Sequence, residues 1–68
     1  MTPEQWIKDI IEKRGLIQRR VAEWAQMPEA RLSNILCGRG RFNVAEFLSV
    51  CIALDIDPGC YLEEKEGQ

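Results

Sequence analysis

The segment from Met27 to Arg41, MPEARLSNILCGRGR, carries the side chains of this chain that are best suited to bind another molecule. Its EARLSNIL portion has the apolar spacing of a short amphipathic helix, with Leu32, Ile35 and Leu36 on one face. The remaining positions of this helix would point outward: Glu29, Ala30, Arg31, Ser33 and Asn34.

These outward side chains match the chemistry of DNA base edges. Asparagine bonds adenine through two hydrogen bonds, arginine suits guanine, serine can donate or accept, and an alanine methyl can touch the methyl group of thymine. All five positions are therefore predicted to face bases. Glu29 is the unusual member, because it must either accept from a cytosine amine or repel the wrong site.

Groups suited to phosphate flank this helix on both sides. Arg39 and Arg41 enclose Gly40 in the loop that follows it. Gln18 begins the preceding helix, whose free N–H groups would form an anion site. The predicted phosphate-contacting residues are Gln18, Arg19, Arg39, Arg41 and Asn43.

The net charge of −2 hides an asymmetry that favours a polyanionic partner. Residues 1–42 carry a net charge of +3, and residues 43–68 carry −5. Between Lys13 and Arg41 there are seven basic residues and two acidic ones. Because charges are screened over about 8–10 Å at physiological salt, a locally basic surface matters more than the total.

Length and composition exclude several other classes. Sixty-eight residues form at most one domain. No apolar run approaches the roughly 18 residues of a membrane span, and MTPEQW does not resemble a signal peptide, so a cytoplasmic, nucleoid-associated protein is expected.

The chain has three cysteines and no histidine, which argues against a disulfide framework, a metal site or another cofactor. The cysteines, Cys37, Cys51 and Cys60, are expected to be buried or half-buried thiols. Histidine, the commonest general base, is absent and no Ser/Asp/Lys grouping compensates, so no enzymatic function is expected.

Helix signals along the chain predict an all-α domain of five helices. Thr2, Pro3 and Gln5 form a capped helix start, and Gly15 ends that helix. The second helix should span about Gln18–Ala25, with Val21, Ala22 and Ala25 inward. The third should open at Pro28 and stop at Gly38.

A capping signature at Asn43–Glu46 launches the fourth predicted helix, which should run to about Leu54. Asp57 and Pro58 start a last short helix through Leu62. Residues 1–62 then form the domain, and 63–68 a short flexible acidic tail. The residues of the fourth helix expected to face inward are Val44, Phe47, Leu48, Cys51 and Leu54.

The segments RGLIQRRVAEWAQMPEARLSNILCGRGR and VAEFLSVCIALDIDPGCYL resemble the Cro/phage-repressor (XRE) helix-turn-helix family over about residues 5–62. This resemblance implies a lambda-repressor-like fold with the helix-turn-helix at helices 2 and 3. It also implies a double-stranded DNA operator, usually palindromic, bound by a homodimer. Dimers of the family commonly join through the region of the fourth and fifth helices. The interface candidates are Ile52, Pro58, Cys60 and Tyr61.

The chain departs from the family pattern at several positions. Gln26 stands where the family usually has glycine, at a position that tends toward positive φ. Ile17 replaces the usual capping Thr or Ser. Ile11 and Leu36 stand where many members pair an arginine with a glutamate, so an apolar contact is expected instead. Trp24, at a usually polar position, is expected to pack against Trp6 or the first helix.

Two alternatives to a Cro-like repressor remain open. One is an antitoxin of the same fold that binds its own promoter and a toxin. The other is a protein-interaction module that has lost DNA binding, which Glu29 and the acidic isoelectric point favour.

Overall fold

The computed structural model describes residues 2–61, and the regular structure in that range is entirely helical. Four helices, α1 to α4, are followed by a short fifth, α5, at residues 58–61. This confirms the predicted all-α architecture of five helices. The predicted tail, 63–68, lies outside the described residues. The bounds of the first four helices are Pro3–Arg14, Gln18–Trp24, Glu29–Leu36 and Val44–Ala53.

Helices α1 and α4 begin in the capping boxes that the sequence predicts. The Thr2 hydroxyl accepts from the backbone N–H of Gln5, and the Gln5 side chain accepts from the backbone of Thr2, each at 3.2 Å. Asn43 and Glu46 make the same reciprocal pair at 2.7 and 3.1 Å. Each box satisfies two backbone N–H groups that have no partner within the helix.

The starts of α2 and α3 lack such side-chain caps. Ile17 precedes α2 and, as its apolar side chain requires, makes no capping hydrogen bond. Pro28 was predicted to be the first residue of α3, and this is wrong by one position. It is the N-cap, with an extended backbone (ψ 140°), and Glu29 begins the helix.

Helices α1 to α4 all end in the same hydrogen-bond pattern, the Schellman motif. In each motif, one residue takes a left-handed backbone: Gly15 (φ 65°), Gln26 (φ 58°), Gly38 (φ 89°) and Asp55 (φ 56°). The N–H of the following residue bonds a carbonyl five positions back, as Met27 does to Ala22 at 3.0 Å. The positive φ expected at Gln26 is therefore confirmed.

The core lies between α1, α2, α3 and the inner side of α4. Ile7, Val21, Leu32, Ile35 and Val50 are fully buried in it. Ile11 and Leu36 are also buried and belong to the same apolar cluster, as expected from the absence of the family's ion pair. The inward residues predicted for α2 and α3 are all buried.

The inward face of α4 differs from the predicted one. Val44 and Leu48 are exposed, whereas Val50, which was not predicted to face inward, is buried together with Cys51 and Leu54. In VAEFLSVCIA nearly every position is apolar, so two different faces satisfy the helical period. In the observed rotation, Glu46 is turned toward α3, where its carboxylate accepts from Arg31.

Trp24 and two of the cysteines also lie elsewhere than expected. The Trp6 ring packs against Phe47 and Tyr61, with centroid separations of 6.1 and 5.6 Å. Trp24 takes no part in this aromatic cluster and is half exposed. Cys51 is buried as expected, but Cys37 and Cys60 are exposed because they lie at a helix end and on the outer side of α5.

Two long-range hydrogen bonds hold α1 against the rest of the fold. The Glu4 carboxylate accepts from the backbone N–H of Phe42 at 3.1 Å, and the Arg14 guanidinium donates to the carbonyl of Leu54 at 2.6 Å. The first bond fixes the loop after α3, and the second fixes the end of α4. Across residues 2–61, no helix is both long and apolar enough to cross a membrane.

Candidate nucleic-acid interface

The corner between α2 and α3 consists of four residues, Ala25 to Pro28. Ala25 is buried and Met27 is packed against the core, so the corner is anchored from inside. Gln26 takes the left-handed backbone and keeps its side chain in solvent. This geometry holds α3 against α2 through its apolar face and leaves its opposite face open.

The open face of α3 carries the five residues that the sequence predicts to contact bases. Glu29, Ala30, Arg31 and Asn34 are exposed, and Ser33 is half-buried. The other side of the helix is closed, since Leu32 and Ile35 have no exposed surface. The fold therefore brings this predicted set together on one surface.

The end of α3 joins this surface to the arginine loop, residues 39–43, which leads to α4. The backbone N–H of Arg39 donates to the carbonyl of Asn34 at 2.9 Å, and Gly38 supplies the left-handed turn between them. Arg39 and Arg41 are both exposed. Two cationic side chains thus stand directly beside the outward end of the helix.

Arg31 is engaged within the protein rather than pointing freely into solvent. Its Nε donates to Oε2 of Glu46 and its Nη2 to Oε1, both at 3.0 Å. The Nη2 group also donates to the carbonyl of Arg41 at 3.2 Å. One guanidinium therefore links α3, the arginine loop and the first turn of α4.

This contact favours the charged forms of both side chains, so it shifts their pKa values in opposite directions. The hydrogen bond to Glu46 raises the pKa of the Arg31 guanidinium. The same bond, followed by the backbone bond from Asn43, lowers the pKa of the Glu46 carboxyl below its ordinary value. The sequence predicts Glu46 only as a capping residue. Its bond to Arg31 could not be predicted from local spacing, because Arg31 lies 15 residues away.

Gly40 is a further contributor that sequence reasoning treated only as a spacer between arginines. A Cβ at this position would lie 3.3 Å from Nη1 of Arg31 and 3.6 Å from Cγ1 of Ile35. A side chain at residue 40 would therefore touch Ile35 and require the Arg31 guanidinium to shift by a few tenths of an ångström. The glycine is explained by close approach, since Gly40 does not adopt a positive φ.

The remaining residues predicted to contact phosphate lie at the ends of helices. Gln18 is the first residue of α2 and is half-buried. Arg19 is exposed and lies 3.6 Å from the Glu23 carboxylate, one turn along the same helix. Asn43 is exposed, and its side-chain amide oxygen caps α4 by accepting from the backbone N–H of Glu46. Arg19 and Asn43 are therefore open to solvent, and Gln18 is partly so.

A shallow groove runs beside the arginine loop, between the start of α1 and the end of α3. Lys8 and Arg41 provide its cationic side chains, and Glu4 an acidic one. Cys37 and the backbone at Gly38 complete the wall on the α3 side. Lys8 was not among the predicted contacts, because its sequence position on α1 gives no hint that it approaches this loop.

The residues proposed for a subunit interface differ in how accessible they are. Ile52 is 79% exposed and Cys60 is exposed, whereas Pro58 is half-buried. Tyr61 packs against Trp6 and Phe47 within the same chain. Ile52 continues a stripe along α4 with Val44 and Leu48, one residue per turn, and these three side chains form the exposed apolar surface of that helix.

No site for a metal ion is present in the part of the chain that the structure describes, where no three His, Cys, Asp or Glu side chains come together. The exposed side chains of α3 offer hydrogen-bond donors, hydrogen-bond acceptors and charged groups. No family model, no curated protein and no solved structure matches this chain.

Proposed function

We propose that this protein is a sequence-specific DNA-binding regulator of the Cro/phage-repressor helix-turn-helix type, which represses transcription by occupying an operator. The observation that carries this proposal is the surface of α3. Its apolar side is buried against α2 and the core, while its polar side is open and ends beside Arg39 and Arg41. A helix presented in this way suits the major groove, where base edges are read.

In the proposed complex, the two ends of the surface have different tasks. The residues that face base edges are Glu29, Ala30, Arg31 and Asn34, and Ser33 contributes at the edge of the buried side. Arg39 and Arg41 contact the phosphate backbone beyond the end of α3. Phosphate contacts set the position of the helix, and base contacts set the preferred sequence. No catalysis is needed, because repression follows from occupancy.

A homodimer on a palindromic site is part of the proposal. Two copies would place their α3 helices about one DNA turn apart, at roughly 34–36 Å. The exposed Ile52, together with Pro58 and Cys60, supports an interface on the α4–α5 side. Tyr61 would contribute less, because its ring already packs against Trp6.

The salt dependence of DNA binding tests the proposal directly. Retention on a pool of random-sequence duplexes should fall steeply as salt rises, with a slope in log K against log salt of about −0.9 for each phosphate neutralised. Arg39→Ala and Arg41→Ala should each flatten the slope by about one contact and weaken binding to all sequences alike. Failure to bind any duplex at low salt would refute the proposed function.

Base reading is tested by Asn34→Ala. A duplex selected by the wild-type protein from the random pool is compared with a shuffled duplex of the same composition. Loss of a two-bond contact to adenine should reduce the preference for the selected duplex by about 1–3 kcal/mol while leaving the salt slope unchanged. An equal loss on both duplexes would contradict this role.

A second candidate is supported by the apolar surface of α4. Val44 and Ile52 are more than three-quarters exposed, which suits a protein partner better than a nucleic acid. An antitoxin of the same fold would use this surface for a toxin and α3 for its promoter, and a pure interaction module would not bind DNA. The retention experiment separates the module from the regulator, and a toxin gene next to this one would identify the antitoxin.

A further inference from the structure

Arg31 has no free edge of two nitrogens to present to a guanine while it stays in place. A guanidinium recognises guanine through two N–H groups on one edge. The edge formed by Nε and Nη2 is occupied by the Glu46 carboxylate, and Nη2 also donates to the carbonyl of Arg41. Among the described residues, acceptors are thus provided for Nε and Nη2 but not for Nη1, and one nitrogen alone does not complete an edge.

The same contacts determine where the arginine loop lies. The bond to the Arg41 carbonyl holds the backbone of that residue, and the close approach at Gly40 seats the loop on Arg31 and Ile35. Glu46 adds a third connection, since its carboxylate also accepts from the backbone N–H of Asn43, where the loop ends. The path of residues 39–43 therefore depends on this ion pair, together with the bond from the Phe42 N–H to Glu4.

We infer that Arg31 is a positioning residue, which together with Glu46 holds the arginine loop in the conformation that presents Arg39 and Arg41 to DNA phosphates. This inference rests on the proposed function and narrows its base-reading set to the residues other than Arg31. It also assigns a function to Glu46, an acidic residue that would otherwise oppose DNA binding.

Glu46→Gln is the decisive variant because the two possible effects have opposite signs. Removing a negative charge beside the DNA surface should by itself tighten binding to any duplex. Releasing the loop should weaken it instead. Glutamine can still accept from the N–H of Asn43, so the capping box of α4 is retained.

Binding is measured on the selected and the shuffled duplex for Arg31→Gln, Glu46→Gln and the double variant. We expect each single variant to weaken binding to both duplexes by about tenfold, and the double variant to be no weaker than either single one, because partners in one contact are not additive. Glu29→Gln is the matched control on the shuffled duplex. It removes one negative charge from α3 without touching the pair, and it should tighten binding there.

The contrary outcome is equally clear. If Arg31 reads a base, Arg31→Gln loses only the preference for the selected duplex, and Glu46→Gln binds as tightly as the wild type or more so. Circular dichroism at the binding temperature verifies that each variant is folded. If Arg31→Gln is unfolded, Arg31→Lys is measured in its place, because lysine keeps the charge but cannot make the two-bond contact.

An NMR measurement separates failure of this inference from failure of the proposed function. The Nε–H signal of Arg31 should be shifted from those of Arg39 and Arg41 and should return to their region in Glu46→Gln. Backbone amide signals of residues 39–43 should move in the same variant. Both observations need no DNA. On addition of the selected duplex, an unchanged Arg31 signal supports positioning, and a new contact to guanine overturns it.

Discussion

The end of α3 and the end of α4 have the same backbone geometry but opposite side-chain chemistry. In α4, the Schellman motif joins Ile56 to Cys51, and both side chains pack into or against the core. In α3, the corresponding residues are Arg39 and Asn34, and both are exposed. An apolar pair across this motif usually anchors the chain after a helix. At the end of α3, one polar and one cationic residue take these places, so this motif leaves its side chains in solvent instead of anchoring the chain.

The difference also explains why the loop after α3 needs other supports. The chain leaving α4 is held by Ile56, and the chain leaving α1 by Leu16, which is packed against the core in the same way. The chain leaving α3 has no apolar residue at that position. Its loop is held instead by Arg31, by the Glu4 carboxylate on Phe42, and by the close contact at Gly40.

Of the differences between the ends of α3 and α4, we expect the largest in the reactivity of their cysteine thiols. Burial, and secondarily the negative charge of Asp57, raises the pKa of the Cys51 thiol to about 11, from an ordinary value of 9.0. At pH 8, Cys51 in α4 should therefore react with a disulfide reagent at least about 100-fold more slowly than the exposed Cys37 after α3. Titration should show two fast thiols, Cys37 and Cys60, and one slow one. Three equally fast thiols would contradict the burial of Cys51.

The same pKa shift predicts a loss of stability at high pH. Because the folded state keeps the Cys51 proton that the unfolded state releases, the free energy of unfolding should fall between about pH 9 and pH 11. Cys51→Ser should remove most of this slope, and Cys37→Ser should leave it in place. Urea unfolding at a series of pH values provides the measurement.

A smaller contrast is expected when the residue after each motif is shortened. Ile56→Ala removes part of the apolar anchor of α4 and should lower the free energy of unfolding by about 1–3 kcal/mol, since Ile56 is packed against the core but only partly buried. Arg39→Ala at the equivalent place after α3 should change it by less than about 0.5 kcal/mol. Thermal unfolding followed by circular dichroism measures both. Equal losses would mean that the α3 end is also an anchor.

The smallest effect concerns the left-handed residues of the motifs. Gln26 and Asp55 both adopt a positive φ that glycine tolerates at lower cost. Gln26→Gly should stabilise the fold by up to about 1 kcal/mol. Asp55→Gly should gain less, because aspartate enters this region more readily than glutamine does. A loss of stability in Gln26→Gly would indicate that its side chain makes a favourable contact.

Sequence pattern was sufficient wherever a helix has a polar side or a capping side chain. The capping boxes at Thr2 and Asn43 are local signals, and so are the glycines that end α1 and α3. The inward face of α3 was predictable because two polar residues, Ser33 and Asn34, separate Leu32 from Ile35. The positive φ at Gln26 was predictable only from the family resemblance, since nothing about glutamine itself favours it.

The remainder depends on contacts between residues that are far apart in sequence. The rotation of α4 could not be determined from VAEFLSVCIA, because an almost uniformly apolar helix has no marked polar side. Trp24 was predicted to pack against Trp6 or the first helix, but the ring partners of Trp6 are Phe47 and Tyr61. The bond between Arg31 and Glu46 joins two helices, and no spacing within one segment reveals it.

The two bonds made by α1 have a consequence for the order in which the chain can fold. Glu4 and Arg14 lie near opposite ends of α1, and their partners, a donor N–H and an acceptor carbonyl, are 38 and 40 residues further along. During synthesis, α1 emerges first, and its apolar side can pack on α2 and α3 before either bond can form. The two bonds come later, because each requires a long loop to close, which costs conformational entropy. The loop after α3 is therefore joined to α1 only once Phe42 has met Glu4.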